Sequence, residues 1–115
     1  MFYSENLKKN GIEHCFFSRK NGSSKGIYES LNCGPGSSDE KLSVEKNLDI
    51  VSKKFGIQTK QLALMHQTHS NKVHIIENKI NLQRVQADAM LTKYNELALG
   101  VLTADCAPIL IYEKD

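Results

Sequence analysis

Residues 41–56 carry one sustained helical period, and nearly everything after them reads as strand. Val44, Leu48, Val51 and Phe55 recur at intervals of four, three and four, with Leu42 beside them. That spacing lays an apolar stripe along one face of a helix. Ser37, with Glu40 three residues on, has capping-box spacing at its start. Gly56 stands where a left-handed cap ends a helix. Lys41, Glu45, Lys46, Asp49 and Lys53 read as its solvated face.

After the helix the pattern changes to short apolar runs at 62–65, 73–76, 87–91, 97–102 and 109–112. Runs of that length read as buried strands. Tyr94-Asn95-Glu96 is a turn between the third and the fourth. An aromatic-rich run at 12–17 reads as the first strand, followed by Asn21-Gly22, a pair suited to positive φ. This order predicts an α+β domain over residues 1–115, a mixed β-sheet in one or more layers with a single covering helix. One helix leaves the other face of such a sheet bare. The chain is therefore expected to be an incomplete part of a larger fold, or to pair with a second copy.

Charge and cysteine usage narrow the function classes. The formal charge is +2, and Lys/Arg clusters are no longer than pairs such as Lys8-Lys9 and Lys53-Lys54. No basic stripe argues for a nucleic-acid partner. No apolar run nears the ~20 residues of a membrane span, and residues 1–9 lack the apolar region of a signal peptide. Cys15, Cys33 and Cys106 are odd in number and widely spaced, with no CxxC. That usage suits free thiols in a reducing cytoplasm.

The chemistry concentrates at two junctions. From Ala98 an apolar run turns polar at Thr103, Asp105 and Cys106, then resumes after Pro108. Alone, this reads as a structural thiol beside a turn-capping Asp. The stretch 62–76 is strand, polar turn, strand, with His69 in the turn. A His and a Cys, each at the end of a buried strand, can meet across a sheet, which suits a zinc site or a thiolate–imidazole nucleophile. His66 reads as a strand-end residue, His74 as a structural one facing away from Val73 and Ile75, and His14 takes no role. The loop after the first strand, Ser18 to Gly26, offers hydroxyls and backbone N–H groups that can hold an anion, but it lacks P-loop spacing.

Several motifs occur together and in order: Phe17-Ser18-Arg19-Lys20-Asn21-Gly22-Ser23-Ser24, Ser30-Leu31-Asn32, Gln67-Thr68-His69, Ala87-Asp88-Ala89-Met90-Leu91-Thr92 and Thr103-Ala104-Asp105-Cys106-Ala107-Pro108. In these the sequence resembles the YfiH-type laccase-domain family, first labelled polyphenol or multicopper oxidases and later described as zinc-containing purine nucleoside phosphorylases. Three departures stand out. Asn21 replaces the first Gly of a G-G pair, Asn47-Leu48 replaces an Asn-Arg pair, and the chain ends before the family's H-A-G-W-R-G motif.

The resemblance implies that His69 and Cys106 are zinc ligands and that the third, the His of the missing motif, is absent. Copper is disfavoured, because the Cys, two His and axial Met of a blue-copper centre are not present as a group. Cys106 and Asp105 are the expected catalytic residues, with Asp105 orienting a ligand or a substrate hydroxyl. Arg19, Asn32 and Gln67 are the expected substrate-binding residues, and the Arg19 guanidinium matches the oxygen fork of phosphate. The implied activity is phosphorolysis of adenosine, inosine, guanosine and methylthioadenosine, with adenosine deamination beside it. The implied partners are a purine nucleoside and phosphate, and the missing motif and bare sheet face add a complementary C-terminal half or a second copy. Competing readings are a Cys–His hydrolase, a polyphenol oxidase, and an inactive split remnant.

Overall fold

The computed structural model describes residues 1–114. Asp115, the end of the expected domain, lies outside them. Helix α1 (Glu5–Lys9) opens the chain, where the apolar pattern predicts no helix. Its signals are present: the Ser4 hydroxyl accepts from the Leu7 N–H, Glu5 is in the first turn, and Lys8 and Lys9 are in the last. Gly11, at φ 72°, ends it in the left-handed region. Leu7 is its one buried residue, so no stripe marked it.

His14 locks this helix to the next segment. Its Nε2 accepts from the Ser4 N–H (2.7 Å), which leaves Nδ1 to donate to the Ile12 carbonyl (2.9 Å). Tyr3 and Phe16 meet the ring edge-on. The strand expected at 12–17 shrinks to a single antiparallel bridge between Phe2 and Phe16. The cause is local: α1 coils up the residues that a longer ladder would need.

Helix α2 (Lys41–Lys54) matches the apolar period. Val44 and Leu48 are buried, while Leu42 is exposed. The capping box does not form. Glu40 is the N-cap without a side-chain bond, and the Ser37 hydroxyl donates instead to the Gly34 carbonyl (2.7 Å). Asp39 accepts from the Glu40 N–H (2.8 Å). At the other end the expected stop holds: Gly56 has φ 66°, and the Ile57 N–H reaches back to the Ser52 carbonyl (3.2 Å).

The expected mixed sheet is two separate parallel pairs. Strand β1 (Leu62–Ala63) pairs with β4 (Ala98–Leu99), in register Leu62 to Ala98. Strand β2 (Val73–Ile75) pairs with β3 (Ala89–Leu91), in register Val73 to Ala89. The α+β class stands, and so does the covering helix over the first pair: Val44 and Leu48 pack on Leu64, with Cys33, Leu62 and Leu102 at the margin. The second pair turns Val73, Ile75 and Leu91 outward and His74 partly inward. The run 109–112 forms no strand, and Ile109 and Ile111 are 76% and 88% exposed. An apolar run becomes a strand only where a neighbour takes its backbone groups, and none of the described residues does so there. Among the described residues no helix is long and apolar enough to cross a membrane.

Candidate functional site

The Arg19 loop and the Asn32 loop are knitted into one unit. The Ser30 and Leu31 N–H groups both donate to the Arg19 carbonyl (3.0 and 2.8 Å), and the Ser24 N–H donates to the Ser30 carbonyl (2.9 Å). Asn21 adopts φ 69°, the left-handed conformation expected of it. The Arg19 guanidinium is exposed, and its Nε donates to the Glu29 carbonyl (3.0 Å).

Asn47 fastens this unit to α2. It is wholly buried. Its Oδ1 accepts from the Ser23 N–H (2.7 Å), and its Nδ2 donates to the Ser24 hydroxyl and the Asn32 carbonyl (both 2.8 Å). The Asn32 amide is also engaged: Nδ2 donates to Ser37 and Asp39, and Oδ1 accepts from the Gly34 N–H (3.1 Å). Hydrogen bonds, first from Ser24, then from Asn32 and the Glu40 backbone, hold the Asp39 carboxyl below its usual range against a smaller opposing effect of burial. Sequence reasoning missed Asp39. In the sequence Asn47 stands out only as half of an altered pair. The legible signal was a polar residue on the stripe of Val44, Leu48 and Val51.

The His69 turn is held from two sides. On one, the Gln67 amide grips both backbone groups of Leu102: Nε2 donates to its carbonyl (2.8 Å) and Oε1 accepts from its N–H (2.9 Å). This ties the turn to the start of the loop carrying Asp105 and Cys106. On the other, the Asp88 carboxylate accepts from the Thr68, His69 and Ser70 N–H groups (3.1, 3.1 and 2.8 Å) and from the Ser70 hydroxyl (2.7 Å). In the sequence Asp88 is a motif letter with no assigned role. His69, Asp105 and Cys106 are all exposed, so the buried thiol read from the 98–112 run alone is corrected. Cys33 is the thiol whose ionisation burial opposes, pushed up to about 11.

The donors at Asp88 draw its carboxyl down to about 2, first the Ser70 hydroxyl and then the backbone of Ser70, Thr68 and His69, against a smaller effect of burial. The folded value lies below the unfolded one of about 3.9. Its stabilisation of the turn is therefore complete above pH ~4 and is lost as pH falls towards ~2. Carbon-13 titration of the Asp88 carboxyl should give a midpoint near the lower value; one near 4 would disprove the brace.

An imidazole and a thiolate are both good zinc donors, so His69 and Cys106 fit that metal chemically. They supply two donors, and among the described residues no group of three or more His, Cys, Asp or Glu is placed to hold a metal ion.

Residues 13–115 match the protein family described as multi-copper polyphenol oxidoreductase laccase. A purine nucleoside phosphorylase of Corynebacterium glutamicum is 35% identical over 106 residues, covering 90% of this chain and 43% of that protein. The chain thus spans less than half the length of the curated relatives it matches. The crystal structure of Neisseria meningitidis protein NMB0706 superposes with a TM-score of 0.67 at 33% identity, over 76% of this chain and 35% of that one. The hypothetical protein YfiH of Bacillus licheniformis shares the fold at a TM-score of 0.70 and 22% identity, over 76% and 36%.

Proposed function

The chain belongs to the multi-copper polyphenol oxidoreductase laccase family, and from that premise we propose that it forms the N-terminal part of a zinc-dependent purine nucleoside phosphorylase. The observation that carries the reading is the double Gln67–Leu102 bond, which docks the Gln67-Thr68-His69 turn onto the chain entering Asp105-Cys106. The name of the C. glutamicum relative supports the activity.

In phosphorolysis a phosphate oxygen bonds to the anomeric carbon of the ribose. The glycosidic C–N bond breaks, and the purine leaves with the electron pair and gains a proton. In this reading Arg19 holds phosphate through its guanidinium, while Asn32 and Gln67 serve the substrate side through the loops they fix. His69 and Cys106 hold zinc, which when bound supplies a Lewis acid. Asp105 orients a ligand or a ribose hydroxyl. Adenosine, inosine, guanosine and methylthioadenosine are the substrates, with adenosine deamination beside them. In this reading the remaining protein ligand lies in the part of the relatives that residues 1–115 do not span.

Residues 1–115 alone, with two donors where a catalytic zinc commonly has three, are expected to bind zinc weakly and turn over little nucleoside. A complementary half added in trans is expected to raise both. The assay is chromatography of the base released from inosine with phosphate and zinc. Release should vanish without phosphate and in Cys106→Ala. No base above the enzyme-free control from the combined halves rejects the reading. Iodoacetamide labelling of Cys106 that zinc does not slow would favour a Cys–His hydrolase instead.

A further inference from the structure

We propose that Asp88 is a positioning residue that presents His69 to the metal, an inference that rests on the zinc reading above. The turn it holds is otherwise unfavourable. His69 has φ 59°, a left-handed conformation that L-residues other than Gly rarely adopt. Such a residue persists when its surroundings over-determine it. Here the surroundings are one carboxylate that gathers the N–H groups of Thr68, His69 and Ser70 and the Ser70 hydroxyl. Three successive amides converging on one anion are a backbone nest, and the anion that fills it is a side chain of this chain.

The brace is long-range and itself anchored. Asp88 lies 18 to 20 residues from the groups it accepts from. The Asp88 and Ala89 N–H groups both donate to the Lys72 carbonyl (3.1 and 3.3 Å), and β3 then continues in register along β2. The start of β3 thus holds the turn that leads into β2, while Gln67 holds the same turn to Leu102. A ligand that must meet a metal together with a thiolate from another loop has to be placed before the metal arrives. Asp88 does this through the backbone of His69 rather than through its ring.

The test is a zinc titration of the chain combined with the complementary half, followed by NMR at the His69 ring in the wild type, Asp88→Asn, Asp88→Glu and His69→Ala, with amide exchange recorded in parallel. Asp88→Asn keeps the shape but places an NH2 group against N–H donors. Its apparent zinc affinity should fall ~10–100-fold, the usual cost of losing a group that orients a metal ligand. Exchange protection should be lost at Thr68, His69 and Ser70 and kept in α2. Asp88→Glu should recover part of the affinity. Unchanged affinity in Asp88→Asn overturns the positioning role and leaves the zinc reading intact. Loss of α2 protection in the same variant also overturns it, by making Asp88 a folding residue. A wild-type His69 ring that ignores zinc, or zinc binding that survives in His69→Ala, rejects the metal reading itself.

Discussion

Asn47→Ala is expected to lower the stability of the chain by about 3–5 kcal/mol, because one truncation strands three groups whose desolvation costs roughly 1–3 kcal/mol each. They are the Ser23 N–H, the acceptor side of the Ser24 hydroxyl, and the Asn32 carbonyl. Asn47 is wholly buried, so water cannot replace the amide without a rearrangement. A domain of this size has a total stability of roughly 6–15 kcal/mol, so the loss is a large share of it and should lower Tm by ~10–20 °C. Asn47→Asp separates hydrogen bonding from volume. It keeps the acceptor for the Ser23 N–H but sets a carboxylate against the Asn32 carbonyl and beside Asp39, which already takes the Ser24 hydroxyl. It should be at least as unstable as the alanine variant, and less so at acid pH, where the new carboxyl is protonated. Thermal unfolding by circular dichroism decides this. A fall below about 1 kcal/mol in Asn47→Ala would mean that the three loop groups find other partners.

What could be read from the sequence, and what could not, follows from the range of the interactions. Helix α2 was legible because its signals lie within a turn or two of one another, down to the Gly56 stop. Helix α1 was legible in principle from Ser4, Glu5, the lysine pair and Gly11, but the period that reveals helices needs more turns than it has. Four of the six expected strand positions were legible, and their extents were not. The run 62–65 pairs only at Leu62–Ala63, and 109–112 does not pair at all among the described residues. An apolar run records a need for cover without recording who covers it. The same limit hid Asp88, a single motif letter in the sequence whose role appears only when β3 lies beside β2. Asn32 and Gln67 show a related limit. A carboxamide in a motif reads as a ligand group, yet both ends of each are engaged in joining loops.

Gly22→Ala is expected to be as damaging as the loss of Asn47, for a steric reason. A Cβ at Gly22 would overlap the Ser30 carbonyl and the Leu31 Cα, both of which are backbone. No side chain can swing aside, so the two loops must part. Parting them strains the Ser24–Ser30 and Ser30–Arg19 backbone bonds and the bond from the Gly22 N–H to the Ser30 hydroxyl (3.1 Å). Overpacking together with these losses should cost about 3–5 kcal/mol. Gly26→Ala is the control. Gly26 has φ 68° and open space around a built Cβ, so the change should cost only the left-handed penalty of roughly 1–2 kcal/mol. Ser23, next to Gly22, donates to Asn47, so Gly22→Ala and Asn47→Ala release the same loop from the same helix. The double variant should therefore fall short of the sum of the two by about 1–2 kcal/mol, the coupling expected of sites that share partners. Urea unfolding of the two single variants and the double variant measures it. Strict additivity would show that the Arg19 loop is held at two independent points.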